Sequence, residues 1–469
     1  MSVFKYYKKE NDTYTANCQA AGVNEIFAGG DKSITHRALL FAAIADGESI
    51  ITNPSQGLDC AATADALEKL GVGCKYIADA NAVKIAGCGG VENLKEPRCA
   101  IDCKNSATTA RLLMGLLAGA AGRRFVLTGD ASLKRRPMRR VAEPLEAMGA
   151  KISLGLGGNC LPAKISGAPL KKINYLNINS SAQVKASIIF AAMCAEGKTS
   201  IDEIYKTRDH SELMAAKFGL KVKRTTLKPL GFRASVEGGQ KAFKAAFKIP
   251  NDPSGASFYI ALDALFQALY SRRLGVVTRG VLINETRNGF FDRLFDCGFD
   301  VLYTNCKKAD YIEKTADIQI NYTALSPVMP LYIESTADII SMIDEVPLMA
   351  LVLSLAQGES YIGGLMELRL KETDRLSAIA GELNKMGADI RVKCDALVIR
   401  GVKKLKGARL NSYGDHRMAM MLVIAGILSG EDFSVKNCGC VSISHPDFFD
   451  NLRKIGFKFH IKRDIKESE

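Results

Sequence analysis

One pattern constrains this chain more than any other: a helical segment, a glycine and a strand-like start recur six times. The copies read ADALEKLGVGC, AEPLEAMGAKI, SELMAAKFGLKV, FFDRLFDCGFDV, AGELNKMGADI and FDNLRKIGFKF. Their glycines, Gly71, Gly149, Gly219, Gly298, Gly387 and Gly456, are 78, 70, 79, 89 and 69 residues apart. Within a copy the apolar residues fall at helical spacing, as in Leu67/Leu70 and Leu145/Met148. The glycine stands where a helix stops in a left-handed residue, a conformation glycine adopts at least cost. Short β-rich runs such as KISLGL and RVKCDALVIR follow, so each copy is expected to be helices packed on a small sheet. Six such units in 469 residues predict an α/β chain of two domains, three units in each. Two prolines within Phe247–Pro253 mark the expected crossing between domains. The first 20-odd residues precede the first copy and, on this reading, could complete either half.

Several polar segments stand just before apolar helical runs. Gly29-Gly30-Asp31-Lys32-Ser33 opens one such run and could cradle a phosphate, or be a solvated turn capped by serine. It is not a Walker A loop, because Asp31 stands where the glycine before the lysine is required. Asn105-Ser106-Ala107-Thr108-Thr109 offers good caps to a second run. Asp130 to Arg140 carries five basic residues around Pro137, which is expected in a first helical turn. Cations at a helix start repel its dipole unless an anion joins them. Ser180 to Lys185 heads another helix, and Arg208-Asp209-His210-Ser211 comes later. In the second half, Asp344-Glu345 reads as helix-capping carboxylates, Glu367 to Arg375 as a solvated helix edge, and Gly414-Asp415-His416-Arg417 as a helix start. Singly, each has a structural explanation; together they predict six helix starts facing one electropositive trap for a polyanion.

Composition narrows the ligand. The formal charge of +13 suits nucleic acid or small anions. Basic residues are spread along the whole chain, are not interleaved with aromatics, and Trp is absent, which argues against nucleic acid. No apolar stretch reaches the roughly 18 residues of a membrane span, and MSVFKYYKKENDTYTANC lacks the apolar segment of a signal peptide. A cytoplasmic location is expected. Thirteen scattered cysteines without a CxxC argue against a disulfide framework or a zinc site and for buried thiols.

In order and content the motifs GDKSITHRAL, NSATTARLLMGLLAG, GDASLKRRPMRRV, SAQVKASIIFA, RDHSE, DEVPLMAL, LRLKETDRL, YGDHRMAM and HPDFF resemble the 5-enolpyruvylshikimate-3-phosphate synthase family, over residues 22 to 456. The resemblance implies an inside-out α/β barrel of two domains, with six copies of a βαβαββ unit, three per domain. The domains would be 22–248 and 1–21 plus 249–469. It implies two small-molecule substrates, phosphoenolpyruvate and shikimate 3-phosphate, with no cofactor, metal, nucleic acid or membrane partner, and a monomer. The implied reaction adds the shikimate 5-hydroxyl to C2 of phosphoenolpyruvate while C3 takes a proton, then expels phosphate.

By the same resemblance Asp344 accepts the hydroxyl proton, Glu372 is the acid and base at C3, and Lys32 shuttles a proton at the bridging oxygen. Phosphoenolpyruvate would meet Lys32, Arg136 and Gln183 around its phosphate and Arg375 and Arg417 around its carboxylate, with Asn105 and Ala107 also in its site. Shikimate 3-phosphate would meet Ser33 and Arg37 at its carboxylate, Asp344 and Lys371 at its hydroxyls, and Ser181, Gln183 and Arg208 at its phosphate, with Lys32 and Ala182 also in its site. Arginine forks match carboxylates and phosphates in bidentate fashion, whereas a lysine can be tuned to exchange a proton. Each charge-assisted contact is worth on the order of 1.5–3 kcal/mol, enough in sum to offset a closing of the two domains.

Three departures from the family, at four positions, stand out. Ala107 stands where many members carry glycine and is expected to weaken inhibition by glyphosate, which occupies the phosphoenolpyruvate space. Ile443 and His445 replace a Lys and a Phe of some members, removing one phosphate contact. Glu367 replaces an Asn at the shikimate hydroxyls. The nearest rival, transfer of enolpyruvate to a UDP-sugar, uses a loop cysteine that DASLKRRPM lacks. An inactive scaffold is disfavoured, since Lys32, Asp344 and Glu372 are all present.

Overall fold

In the computed structural model each repeat glycine closes a helix in the left-handed region, with φ from 75° at Gly219 to 112° at Gly456. Each then launches a strand: Gly73–Ile77, Lys151–Gly155, Val222–Thr226, Asp300–Lys307, Asp389–Lys393 and His460–Arg463. All six strands are sheet edges. The structure describes residues 2–5, 24–228, 231–308, 312–321 and 327–463. The fold is mixed α/β and divides into two compact units. The amino-terminal unit takes Gly30–Pro250 and Lys308–Glu313; the carboxy-terminal unit takes Met1–Gly29, Asn251–Lys307 and Lys314–Glu469. The excursion at Lys308–Glu313 differs from the expected division, which left 249–469 whole; nothing in its composition marks it.

Among the described residues there are six four-stranded sheets of one pattern: a parallel pair, then two antiparallel neighbours. In the amino-terminal unit they are built on Asp46–Thr52, Arg124–Thr128 and Lys198–Glu203. In the carboxy-terminal unit they are built on Val276–Leu282, Glu359–Ile362 and Ser434–Lys436. The last of these takes Ser2–Lys5 as an inner strand, with Val3 opposite both Lys436 and Lys462.

Burial separates the two kinds of element. Strand Cys160–Ser166 buries Leu161, Ala163 and Ile165 and exposes Pro162 and Lys164, as period-two geometry requires. The helices Lys32–Ile44, Ala107–Ala118, Ala182–Ala192, Val346–Leu353 and His416–Ser429 are buried on almost every side, the state of a helix apolar all round. Ala107–Ala118 and Ala182–Ala192 meet at Gly115, where a Cβ would fall 2.1 Å from the Ser187 carbonyl oxygen. No helix among the described residues is long and apolar enough to cross a membrane.

Some local expectations are corrected. Asp31, not Ser33, caps the first helix, its carboxylate accepting from the Ile34 N–H at 2.7 Å. Ser106 rather than Asn105 or a threonine caps the second. Pro137 lies before the helix Arg139–Ala147 and outside its first turn. The Glu367–Arg375 run is not a helix edge: it spans a 3-10 turn, Met366–Leu370, and the start of helix Arg375–Lys385, where Asp374 is the cap.

Candidate active site

In the amino-terminal unit the implied residues gather at helix starts. Lys32 is the first residue of its helix, and its Nζ lies 2.9 Å from Asp59 Oδ2. One turn on, buried Arg37 donates through Nε to Ser211 Oγ at 2.7 Å and through Nη1 to the Ser33 carbonyl at 2.8 Å. Burial pulls the Arg37 pKa down against Glu212, and Arg208 adds to the fall; a guanidinium remains protonated at neutral pH all the same. Arg208 reaches Ser33 Oγ at 3.4 Å, so Ser33, Arg37 and Arg208 form one donor-rich group.

A second group sits at the next two helices. Ala107 and Ala182 are first residues, capped by Ser106 and Ser181. The Gln183 amide donates to Thr108 Oγ1 at 2.9 Å, while its Oε1 accepts from Arg111. Arg136 donates to Asn105 Oδ1 at 3.2 Å, and Asn105 to Asp130 at 2.7 Å. Between these helices and Lys32 runs a hydroxyl chain: His36 Nδ1 to Thr63, Thr63 to Thr109 at 2.7 Å each, and Thr109 to Ser106 at 2.8 Å. Burial, then Lys32, then Arg37 hold the His36 imidazole well below its usual pKa and therefore neutral.

The carboxy-terminal unit presents an interlocked charge set. Arg375 Nε lies 2.7 Å from Asp415 Oδ2, and its Nη2 lies 2.7 Å from Glu372 Oε2. Asp344 stands 3.8 Å from both Arg375 Nη1 and Lys371 Nζ. Burial works against the charge of Arg375, yet Asp415 and Glu372 keep its pKa above the ordinary guanidinium value. Burial lowers the Lys371 pKa, Asp344 opposes the fall and Arg375 reinforces it. That is how a lysine becomes a proton-exchanging group. Asp415 also caps helix His416–Ser429, accepting from Arg417 N at 2.9 Å. Arg417 itself lies 3.6 Å from Glu345.

The structure thus joins Ser33, Arg37 and Arg208; Asn105 and Arg136; and Asp344, Lys371, Glu372 and Arg375. Ser181 spends its hydroxyl on the cap. Asp59, Thr108, Arg111, Glu345 and Asp415 have no site role in the sequence reading; Thr108, Glu345 and Asp415 are visible there only as polar residues standing before apolar helices. Of the departing positions, Glu367 is half-buried in the 3-10 turn beside Lys371. His445 is buried with Nε2 2.6 Å from the Tyr259 hydroxyl, and Ile443 is partly buried. One set of metal-capable side chains gathers among the described residues, Asp209, His210 and Glu313. His210 Nδ1 and Glu313 Oε1 are 2.6 Å apart, a hydrogen bond; two ligands on one zinc would be about 3.4 Å apart. Asp209 answers to Arg224 and Lys206.

Comparison with known proteins gives the family. The family described as EPSP synthase (3-phosphoshikimate 1-carboxyvinyltransferase) matches residues 20–452. A 3-phosphoshikimate 1-carboxyvinyltransferase of Sulfurihydrogenibium sp. is 40% identical over 91% of this chain and 95% of its own. One of Bacillus subtilis is 38% identical over 92% and 97%. The solved EPSP synthase of Acinetobacter baumannii superposes with a TM-score of 0.79 at 32% identity, over 99% of this chain and 100% of that one. The chain belongs to the EPSP synthase (3-phosphoshikimate 1-carboxyvinyltransferase) family.

Proposed function

We propose that Asp344, Glu372 and Lys32 move the protons of the family's reaction in this chain. The enzyme transfers the enolpyruvyl group of phosphoenolpyruvate to the 5-hydroxyl of shikimate 3-phosphate and releases phosphate. In the addition, Asp344 takes the hydroxyl proton as the oxygen bonds to C2, and Glu372 delivers a proton to C3. In the elimination, C3 returns a proton to Glu372, the bond from C2 to the bridging oxygen breaks, and Lys32 protonates the departing phosphate. General acid–base groups near the operating pH and fixed cations opposite developing charge are what such steps need.

The observation that carries the assignment is the Asp344 carboxylate, flanked at 3.8 Å by Lys371 and Arg375, with Glu372 on the same guanidinium. Lys32, Arg136 and Gln183 take the phosphate of phosphoenolpyruvate and Arg375 and Arg417 its carboxylate, with Asn105 and Ala107 beside it. Ser33 and Arg37 take the shikimate carboxylate, Lys371 its hydroxyls, and Ser181, Gln183 and Arg208 its phosphate, with Lys32 and Ala182 beside them. The finer architecture is an inside-out α/β barrel with six βαβαββ units, in domains 22–248 and 1–21 plus 249–469. The common pairing pattern of the six sheets, one parallel and two antiparallel neighbours, and the all-round burial of the helices support it. Phosphate release with phosphoenolpyruvate is expected with shikimate 3-phosphate and absent with UDP-N-acetylglucosamine. Release with the sugar nucleotide, or with neither, would overturn the reading.

A further inference from the structure

Glu345 follows the proposed base, and neither substrate contact nor helix capping explains its burial. It stands at the cap of helix Val346–Leu353 without a side-chain capping bond. Its side chain is 3% exposed, and neither carboxylate oxygen makes a hydrogen bond of good geometry among the described residues. A carboxylate in that state is expensive to bury unless nearby charge compensates it. Burial and Asp344 do push its pKa up, while Arg417, Arg287 and the Ser254 hydroxyl act the other way.

Its nearest charge partner is Arg417, with Nη1 3.6 Å from Oε1. That distance allows charge attraction but lies outside hydrogen-bonding range. Among the described residues Glu345 is the one carboxylate within 4.0 Å of Arg417. Arg375 differs: Asp344, Glu372 and Asp415 all claim it. Arg417 is itself 4% exposed, so a buried guanidinium is balanced by a charge that does not occupy its N–H fork. An anion with two oxygens can then take the fork without first displacing a protein partner.

We infer that Glu345 is a positioning residue: its carboxylate holds the Arg417 guanidinium by charge and leaves the N–H fork open to the carboxylate of phosphoenolpyruvate. This rests on the role proposed above for Arg417. Steady-state kinetics on the full chain, varying each substrate in turn, test it. Glu345→Gln keeps the shape and removes the charge; KM for phosphoenolpyruvate rises about tenfold while kcat and KM for shikimate 3-phosphate stay within about threefold. Glu345→Asp keeps the charge one methylene further back and raises that KM only about threefold. Combined with Arg417→Lys, Glu345→Gln adds no further rise beyond that of Arg417→Lys alone. If Glu345→Gln does not fold, Glu345→Asp carries the test. An unaltered KM in either variant, or equal KM in the two, overturns the inference. If Arg417→Lys raises KM and Glu345→Gln does not, the inference alone falls. If Arg417→Lys leaves KM unaltered, the Arg417 role falls and takes the inference with it.

Discussion

Acid should weaken this protein through its buried neutral imidazoles, and His445 is the one whose share can be isolated. His445 is 3% exposed, with Nε2 2.6 Å from the Tyr259 hydroxyl, which also receives the Asn451 amide at 3.2 Å. Burial lowers its pKa from 6.5 to about 4; Asp252 opposes the fall and Arg417 adds to it. The folded state therefore keeps His445 neutral between those values, while the unfolded chain takes up a proton. Stability from this group is complete above pH 6.5 and is lost as pH falls toward 4. Full loss is about 3 kcal/mol, and at pH 5 the protonated fraction of the unfolded chain already accounts for about 2 kcal/mol. The perturbation is His445→Phe, which keeps an aromatic ring among Tyr259 and Phe448 and has nothing to protonate. Urea unfolding of both proteins at pH 8 and pH 5 reads the effect. The wild type should lose about 2 kcal/mol more than the variant on acidification. At pH 8 the variant should be less stable by about 1 kcal/mol, for the lost Tyr259 hydrogen bond. Parallel losses in the two proteins would rule out His445 as a source of the acid sensitivity.

Further outcomes follow from the same geometry. Asp344→Ala should reduce kcat by at least about a hundredfold while substrate dissociation constants move by less than about fivefold; near-normal turnover in a phosphate-release assay would remove Asp344 as the base. Ala107→Gly should lower the inhibition constant for glyphosate by about tenfold, since it deletes a methyl from a position 8% exposed; potent inhibition of the wild type would contradict this. Gly115→Ala drives a methyl into the Ser187 carbonyl and should cost at least about 3 kcal/mol, measured as a lower thermal midpoint. Lys185→Met strands Glu203 and Glu212, both 2.8 Å from the ammonium and buried, and should cost about 3–5 kcal/mol in chemical unfolding.

Much of the fold could be read from local chemistry. The six glycines announced themselves because a left-handed helix stop is a one-residue demand. Helix starts were visible where polar caps precede apolar runs, although Asp31 and Ser106 rather than their neighbours make the bonds. Pairings across distance were not visible. Asp59 and Lys32 are 27 residues apart, and Arg111 and Gln183 are 72 apart; only the packing of separate helices brings them together. Family resemblance supplied the proposed catalytic carboxylates, but not Asp415 or Glu345, whose charge partners are Arg375 and Arg417. Lys308–Glu313 went unnoticed because its tie to the amino-terminal unit, Glu313 to His210, is a tertiary contact.

The inner strand Ser2–Lys5 gives the two units different schedules on the ribosome. Every strand of the amino-terminal unit's four-stranded sheets lies within Gly30–Pro250, so those sheets can form while synthesis of the other unit continues. Ser2–Lys5 is made long before Ser434–Lys436 and His460–Arg463, the strands on either side of it. Until both emerge its backbone N–H and C=O groups lack their sheet partners, the condition under which nascent chains pair wrongly or call on chaperones. A sheet that sets Ser2–Lys5 between Ser434–Lys436 and His460–Arg463 therefore makes completion of the carboxy-terminal unit wait for a strand more than 450 residues further along the chain.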